Sequence, residues 1–125
     1  AGTIHNWDQY NLRDAIQFGP VLIKDGQILT EGSSGWGLQP RTVIGQRADG
    51  AVLFMIVDGR KPGYSIGATM GDCASVLLEY GAVTAAACDG GSSSVLAYNG
   101  QIINDPSTPM ETGRYLPKAF LLKRT

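Results

Sequence analysis

Histidine is nearly missing from this sequence: His5 stands alone in 125 residues, and cysteine is scarcely commoner, with only Cys73 and Cys88. The two cysteines lack C-x-x-C spacing, and one histidine leaves a Cys/His zinc site short of ligands. They read as small buried apolar residues, with a disulfide between them as the alternative. A His-dependent triad would rest on His5 alone, near the start of the chain, and is not expected. Charge of one sign is short as well: ten Lys and Arg face eleven Asp and Glu, for a net charge of −1. No basic run forms, which argues against a nucleic-acid groove or a polybasic membrane patch. Long hydrophobic runs are absent; the longest, Ala51 to Val57, is far too short to span a membrane. No basic-plus-apolar signal segment opens the chain, and Ala1 is compatible with the start of a processed or trimmed product. Gly-Lys-Ser/Thr of the phosphate-binding loop and the Rossmann glycine fingerprint do not occur.

What remains is a globular composition, 43% hydrophobic and 17% charged, of a size for one domain with a real core. Seventeen glycines cluster at 32–37, 59–67 and 90–91, which predicts short strands, tight turns and function carried on loops. A short helical turn is expected near Leu12 to Ile16. GPVLIKDGQIL then reads as a hairpin about Asp25-Gly26, EGSSGWGLQP as a loop, and RTVIGQ-RADG-AVLFMIVDG as a second hairpin. The unbroken apolar run Val52 to Val57 predicts a central strand covered on both faces. TMGDCASVLLEYG predicts the principal helix, about residues 69–80: Thr69 caps it, Asp72 completes a capping box, and Gly81 stops it. Its apolar face is expected to be Cys73, Val76, Leu77 and Tyr80. AVTAAAC follows as a buried strand, SVLAYNGQII as a third hairpin about Asn99-Gly100, and KAFLLK as a last strand. The fold class is therefore α+β: a mostly antiparallel or mixed sheet with hairpins and one amphipathic helix packed on it.

Three polar sets sit at strand ends. They are Arg41-Thr42, Asp58-Gly59-Arg60, and Asp89-Gly90-Gly91 followed by serines that include Ser93. Acids ending two neighbouring strands would form a carboxylate pair able to act as acid, base or nucleophile at a glycosidic bond. Glycines expose backbone N–H groups, serines add donors for phosphate or sugar oxygens, and an arginine fork suits phosphate. Each set also has a plain structural reading, since Asp-Gly is a favoured turn and arginines are commonly solvated surface. Locally, the residues leave a small site of unknown type.

Taken together and in order, these segments resemble the phosphodiester glycosidase domain, the family of the lysosomal "uncovering enzyme" that removes N-acetylglucosamine from its phosphodiester on mannose. The family pattern runs as an Arg-Thr-x-x-Gly strand, a Val-Asp-Gly-Arg end, a Gly-Tyr-Ser-x-Gly loop, a helix, and Asp-Gly-Gly-Gly-Ser. Here it is matched by RTVIG, VDGR, GYSIG and DGGSS, with FGPVLIKDGQ upstream and GRYLPKAFLL near the end, so the resemblance covers about 17–122. It implies a hydrolase that cleaves a sugar-1-phosphodiester at the anomeric carbon, releasing the sugar and a phosphate monoester. It also implies Asp89, Asp58 and Arg41 as catalytic residues, and Thr42, Gly59, Arg60, Gly90, Gly91 and Ser93 as substrate-binding residues. No cofactor is implied, and the ligand count gives no support to a divalent cation near Asp58 or Asp89. Two positions depart from the pattern: Ser92 replaces a third glycine, and Lys118 stands where the closing segment usually carries Asn. The family's N-terminal half, with its Asn-Gly-Gly-like motif, is not in this sequence, so 1–125 resembles the C-terminal half of a larger domain, with that half as an expected partner. The resemblance further implies a bacterial protein, secreted or in the cell envelope, acting on a small-molecule or glycan phosphodiester with no nucleic-acid partner and no membrane insertion. The alternatives are a non-catalytic carbohydrate- or phosphate-binding module, an inactive portion of such an enzyme, or an interaction domain whose three polar sets are turns that do not converge.

Overall fold

The computed structural model describes residues 8–33, 36–110 and 113–124; His5 lies outside them. Strands β1 (Val21–Lys24) and β2 (Gln27–Ile28) form the first hairpin, and β3 (Arg41–Arg47) and β4 (Val52–Val57) the second. Helix α1 (Met70–Glu79), β5 (Ala82–Ala87) and the small hairpin β6 (Ala97–Tyr98) and β7 (Gln101–Ile102) follow. The first five strands make one antiparallel sheet in the order β2-β1-β5-β3-β4, with β6 and β7 paired apart from it. This is the expected α+β fold. The hairpin turns obey their sequences: Asp25-Gly26 has φ 52° and 74°, and Asn99-Gly100 has φ 49° and 76°. Both central residues are left-handed, as a two-residue turn matched to strand twist requires.

Helix α1 starts where the capping box places it. Thr69 Oγ1 accepts the Asp72 N–H at 3.1 Å, and Asp72 Oδ2 accepts the Thr69 N–H at 2.8 Å. Those bonds satisfy donors that the first turn would otherwise leave open, and the Thr69 hydroxyl, donating to Asp72 Oδ2 at 2.7 Å, with the Thr69 N–H holds the Asp72 carboxyl below its ordinary range. At the other end Gly81, at φ 86°, turns the chain into β5. The buried face differs from the expected one. Met70, Cys73, Ala74 and Leu77 are enclosed, while Val76 and Tyr80 stay exposed. The helix is rotated so that its narrow side, Ala74, meets a sheet face of small residues. Those are Ala85 and Ala87 of β5 with Val43 of β3, joined by Leu22 and Ile23 of β1 in one cluster.

Three further expectations are corrected. The apolar run 52–57 is the edge strand β4 and not a central one; β5, rich in alanine, takes the centre. Continuous hydrophobicity therefore reports two apolar faces but not two covered ones: Val52 is 50% and Phe54 42% exposed. Segment 118–123 enters no strand; it crosses the sheet irregularly, with the Phe120 ring 6.2 Å from that of Phe54. Phe120 meets the sheet through Phe54, while Leu121 and Leu122 stay 87% and 91% exposed. The helical turn near the start falls on 8–10, and Leu12 to Ile16 is irregular. Both cysteines are free thiols, Cys73 buried and Cys88 half-buried.

Candidate active site

Antiparallel pairing decides where the three polar sets go. Arg41 opens β3 opposite Val57, the last residue of β4, and Val43 faces Ala87, the last of β5. The start of β3 and the ends of β4 and β5 therefore share one end of the sheet. The ordinary spacing between strands puts the ends of β4 and β5 about 10 Å apart on either side of β3. The chains stay in register past the ladder: the Cys88 N–H donates to Thr42 O at 2.8 Å and the Gly91 N–H to Pro40 O at 2.9 Å. The strand ends that carry Asp58, Arg41 and Asp89 therefore lie at one end of the sheet.

Glycine makes this closeness feasible at three points, the first being Gly59, where a Cβ would lie 2.9 Å from Pro40 N. A Cβ on Gly67, whose φ is 106°, would lie 2.4 Å from the Gln39 carbonyl carbon, and one on Gly90 would lie 2.7 Å from Pro40 O. All three are closer than a side chain tolerates, so the loops at 59, 67 and 90 clasp the Gln39–Pro40 backbone only as glycine. Ser92, where the family pattern has a third glycine, sits within the short 3-10 turn Gly91–Ser93.

The two arginines separate into different roles. Arg41 is 4% exposed, and its guanidinium donates to backbone carbonyls: Nε to Ala68 at 2.9 Å, and Nη2 to Gly37 at 2.5 Å and Trp36 at 3.4 Å. Burial pushes it down from its ordinary pKa. The ion pairs among the described residues, Arg13–Asp14, Arg47–Asp49 and Lys61–Asp105, leave it out. Arg41 thus ties the loops at 36–37 and 68 to β3. Arg60 is exposed, with a left-handed φ of 59°. Its Nε donates to Gln39 Oε1 at 2.8 Å, and its Nη2 lies 3.2 Å from the point where a Gly91 Cβ would stand. The fork is therefore held over the glycine turn that follows Asp89.

The two acids differ as sharply. Asp58 is half-buried and enclosed by donors: Asn104 Nδ2 at 2.8 Å, the Asp105 N–H at 3.0 Å and the Tyr64 hydroxyl at 3.0 Å. Burial alone would raise its pKa; the three hydrogen bonds, with the Lys61 charge, outweigh that and hold the carboxyl below its ordinary value. The same bond pushes the Tyr64 hydroxyl up. Asp89 is exposed and lines a cavity of about 300 Å³ with Thr42 and Ser93 at its polar edge. Thr42 Oγ1 donates to Ser94 Oγ at 3.2 Å, tying β3 to the turn after Asp89. Most of the remaining lining is apolar, including Phe54, Ile56, Leu96, Leu116 and Phe120, with Lys118 as a charged member. Among the described residues no three His, Cys, Asp or Glu side chains gather as a metal site would need.

Gln39, Tyr64, Ser94 and Asn104 escaped the sequence reading. A signal existed for Asn104. Asn104-Asp105-Pro106 closes the apolar stretch of β7 as Asp58-Gly59 closes β4, and polar residues at strand ends had marked the other sets.

A family model described as phosphodiester glycosidase matches residues 2–123. The chain is 38% identical over 103 residues to the SPbeta prophage-derived uncharacterized protein YomE of Bacillus subtilis, covering 79% of this chain and 16% of that protein. A solved structure from Burkholderia pseudomallei, of a protein named as a candidate for export, is similar with TM-score 0.57 at 36% identity, covering 61% of this chain and 15% of that one. The zebrafish N-acetylglucosamine-1-phosphodiester alpha-N-acetylglucosaminidase catalytic domain, auto-inhibited by its pro-peptide, is similar with TM-score 0.60 at 22% identity. That match covers 73% of this chain and 35% of the zebrafish chain, and shares the fold. The chain thus spans well under half the length of each of these relatives.

Proposed function

The chain belongs to the phosphodiester glycosidase family, and on that premise we propose that the shared end of β3, β4 and β5 is a hydrolytic site for sugar-1-phosphodiesters. Water adds at the anomeric carbon, the bond from that carbon to the phosphate oxygen breaks, and a phosphate monoester leaves. The leaving group is already stable as an anion. The demand on the protein is to stabilise an oxocarbenium-like transition state and the departing charge, more than to supply a strong acid. Asp89, exposed at the cavity edge, is the carboxylate nearest the anomeric centre. Asp58, held ionised by its three donors, serves as a fixed negative charge that orients and stabilises. Arg60 holds the phosphate, Arg41 supplies its buried charge to the same end of the sheet, and Thr42, Ser93 and the backbone of Gly59, Gly90 and Gly91 bind oxygens.

The observation that supports this reading is that the ends of β4 and β5, carrying Asp58 and Asp89, flank the start of β3 at one end of the sheet, with the Arg60 fork against the Gly91 turn. The test is Asp89→Asn, assayed by release of phosphate monoester from a synthetic sugar-1-phosphodiester. Turnover should fall by about 10³-fold or more with the unfolding midpoint unchanged; a variant that keeps its activity sinks the assignment.

A second reading draws support from the apolar wall of the cavity beside Asp89, a poor match for a hydrophilic sugar, and from the 35% share of the zebrafish domain that the chain spans. In it, the 125 residues bind carbohydrate or phosphate without cleaving it, and the N-terminal half of a family domain completes the site as a partner. Affinity for a sugar phosphate with no product released selects this reading over the first. Either way we place the protein outside the cytoplasm, secreted or at the cell envelope of a bacterium. The name of the Burkholderia relative favours this.

A further inference from the structure

Asn104 lies two residues beyond β7, and its carboxamide joins three separate stretches of chain. Oδ1 accepts the Leu96 N–H at 2.8 Å, while Nδ2 donates to Ser94 O at 2.9 Å and to Asp58 Oδ1 at 2.8 Å. A carboxamide has two N–H donors, and both are used. Turning the group over would set a donor against the Leu96 N–H and an oxygen between two acceptors, so its orientation is determined by its partners. The two ends of this bridge matter chemically. One is the carboxylate that ends β4. The other is the turn that carries Ser93 and Ser94 away from Asp89, where Ser94 Oγ accepts from Thr42 at 3.2 Å.

We propose that Asn104 is a positioning residue of the site: it fixes the Asp58 carboxylate and the 90–96 loop relative to one another, and through Ser94 and Thr42 it sets the polar edge of the cavity beside Asp89. This rests on the hydrolase reading above for its catalytic consequence, but not for its geometry. A side chain of similar size without the donors, as in Asn104→Asp, would turn an acceptor toward Asp58 and Ser94 O. Asn104→Ala removes the bridge outright.

The test follows Asp58 directly. Carboxyl carbon resonances titrated by NMR give its midpoint. The other groups facing it are Tyr64, Lys61 and Asp105. Of these only Asp105 is also a carboxyl, and its resonance is assigned separately. In the unaltered protein the Asn104 side-chain N–H resonances should shift with the Asp58 midpoint. In Asn104→Ala that midpoint should rise toward the ordinary value of about 3.9. Turnover of a sugar-1-phosphodiester should fall about 10²-fold in kcat with KM changed less than about threefold, because displacement of positioned groups costs rate before affinity. A residue that only held the fold together would lower the unfolding midpoint but leave the Asp58 titration and the kcat of folded molecules where they were, and that result overturns the proposal. If Asn104→Ala does not fold, the N–H titration of the unaltered protein decides alone: shifts that ignore Asp58 overturn it. If the unaltered protein hydrolyses no such substrate, the hydrolase reading falls, and the Asp58 titration still decides whether Asn104 positions it.

Discussion

The two faces of the five-stranded sheet are built from the same strands and are treated in opposite ways. Toward α1, Leu22, Val43, Cys73, Ala74, Leu77, Ala85 and Ala87 are all 3% exposed or less. On the other face Val21, Val52 and Phe54 remain 37%, 50% and 42% exposed, with the irregular segment around Phe120 laid against Phe54. The difference lies in side-chain size and strand position. Alanines on the central strand let the helix come close and exclude water, whereas bulky residues on the edge strand meet a segment that forms no ladder. Stability is concentrated on the first face. The second face forms the apolar wall of the cavity beside Asp89, so the site's polar groups sit on the seam between a closed face and an open one.

Leu77→Ala probes the closed face with the largest expected effect on stability. Leu77 is 3% exposed in a cluster with no slack, and removing three heavy atoms there should cost about 2–5 kcal/mol in urea unfolding. A cost under about 1 kcal/mol would mean that α1 moves inward to fill the space, and the closed face would then be as yielding as the open one.

The thiols offer a smaller contrast without mutation. Cys73 is fully buried under the helix, and burial pushes its thiol up to about 11; Cys88 is half-buried on the cavity wall. Burial raises Cys88 too, but Lys118 pulls it back. Native-state alkylation at pH 8, read by mass spectrometry, should modify Cys88 at least about tenfold faster, since the thiolate is the reactive form and must be reachable. Equal rates would show the helix opening as readily as the cavity.

The turns and the helix start were legible in the sequence, and the arrangement of the open face was not. Asp25-Gly26 and Asn99-Gly100 specify their turns through backbone geometry, and Thr69 with Asp72 specifies the helix start, because these are interactions between near neighbours. The edge position of β4 was hidden, since Val52–Val57 is as apolar as a central strand and position in a sheet depends on partners far along the chain. KAFLLK misled for a related reason: β propensity cannot supply a neighbouring strand. At the site, the strand-end acids and arginines stood out by type and place. Whether Arg41 faces substrate or backbone carbonyls depends on the loops at 37 and 68, and no local pattern announces that. Asn104 reaches Asp58 across 46 positions of sequence.

The smallest expected effect is the one that tests the open face itself. Val52 lies half exposed on the edge strand, and Val52→Thr keeps a β-branched side chain suited to a strand while replacing a methyl with a hydroxyl. If water already reaches this face, the change should alter the unfolding free energy by less than about 0.5 kcal/mol. A loss above about 1.5 kcal/mol would mean that the hydroxyl is being desolvated, and so that something covers β4 in solution. The dependence of that loss on protein concentration then separates the two sources of cover. A loss that grows with concentration comes from a second copy pairing across the face, and one that does not comes from the protein's own chain folding over it.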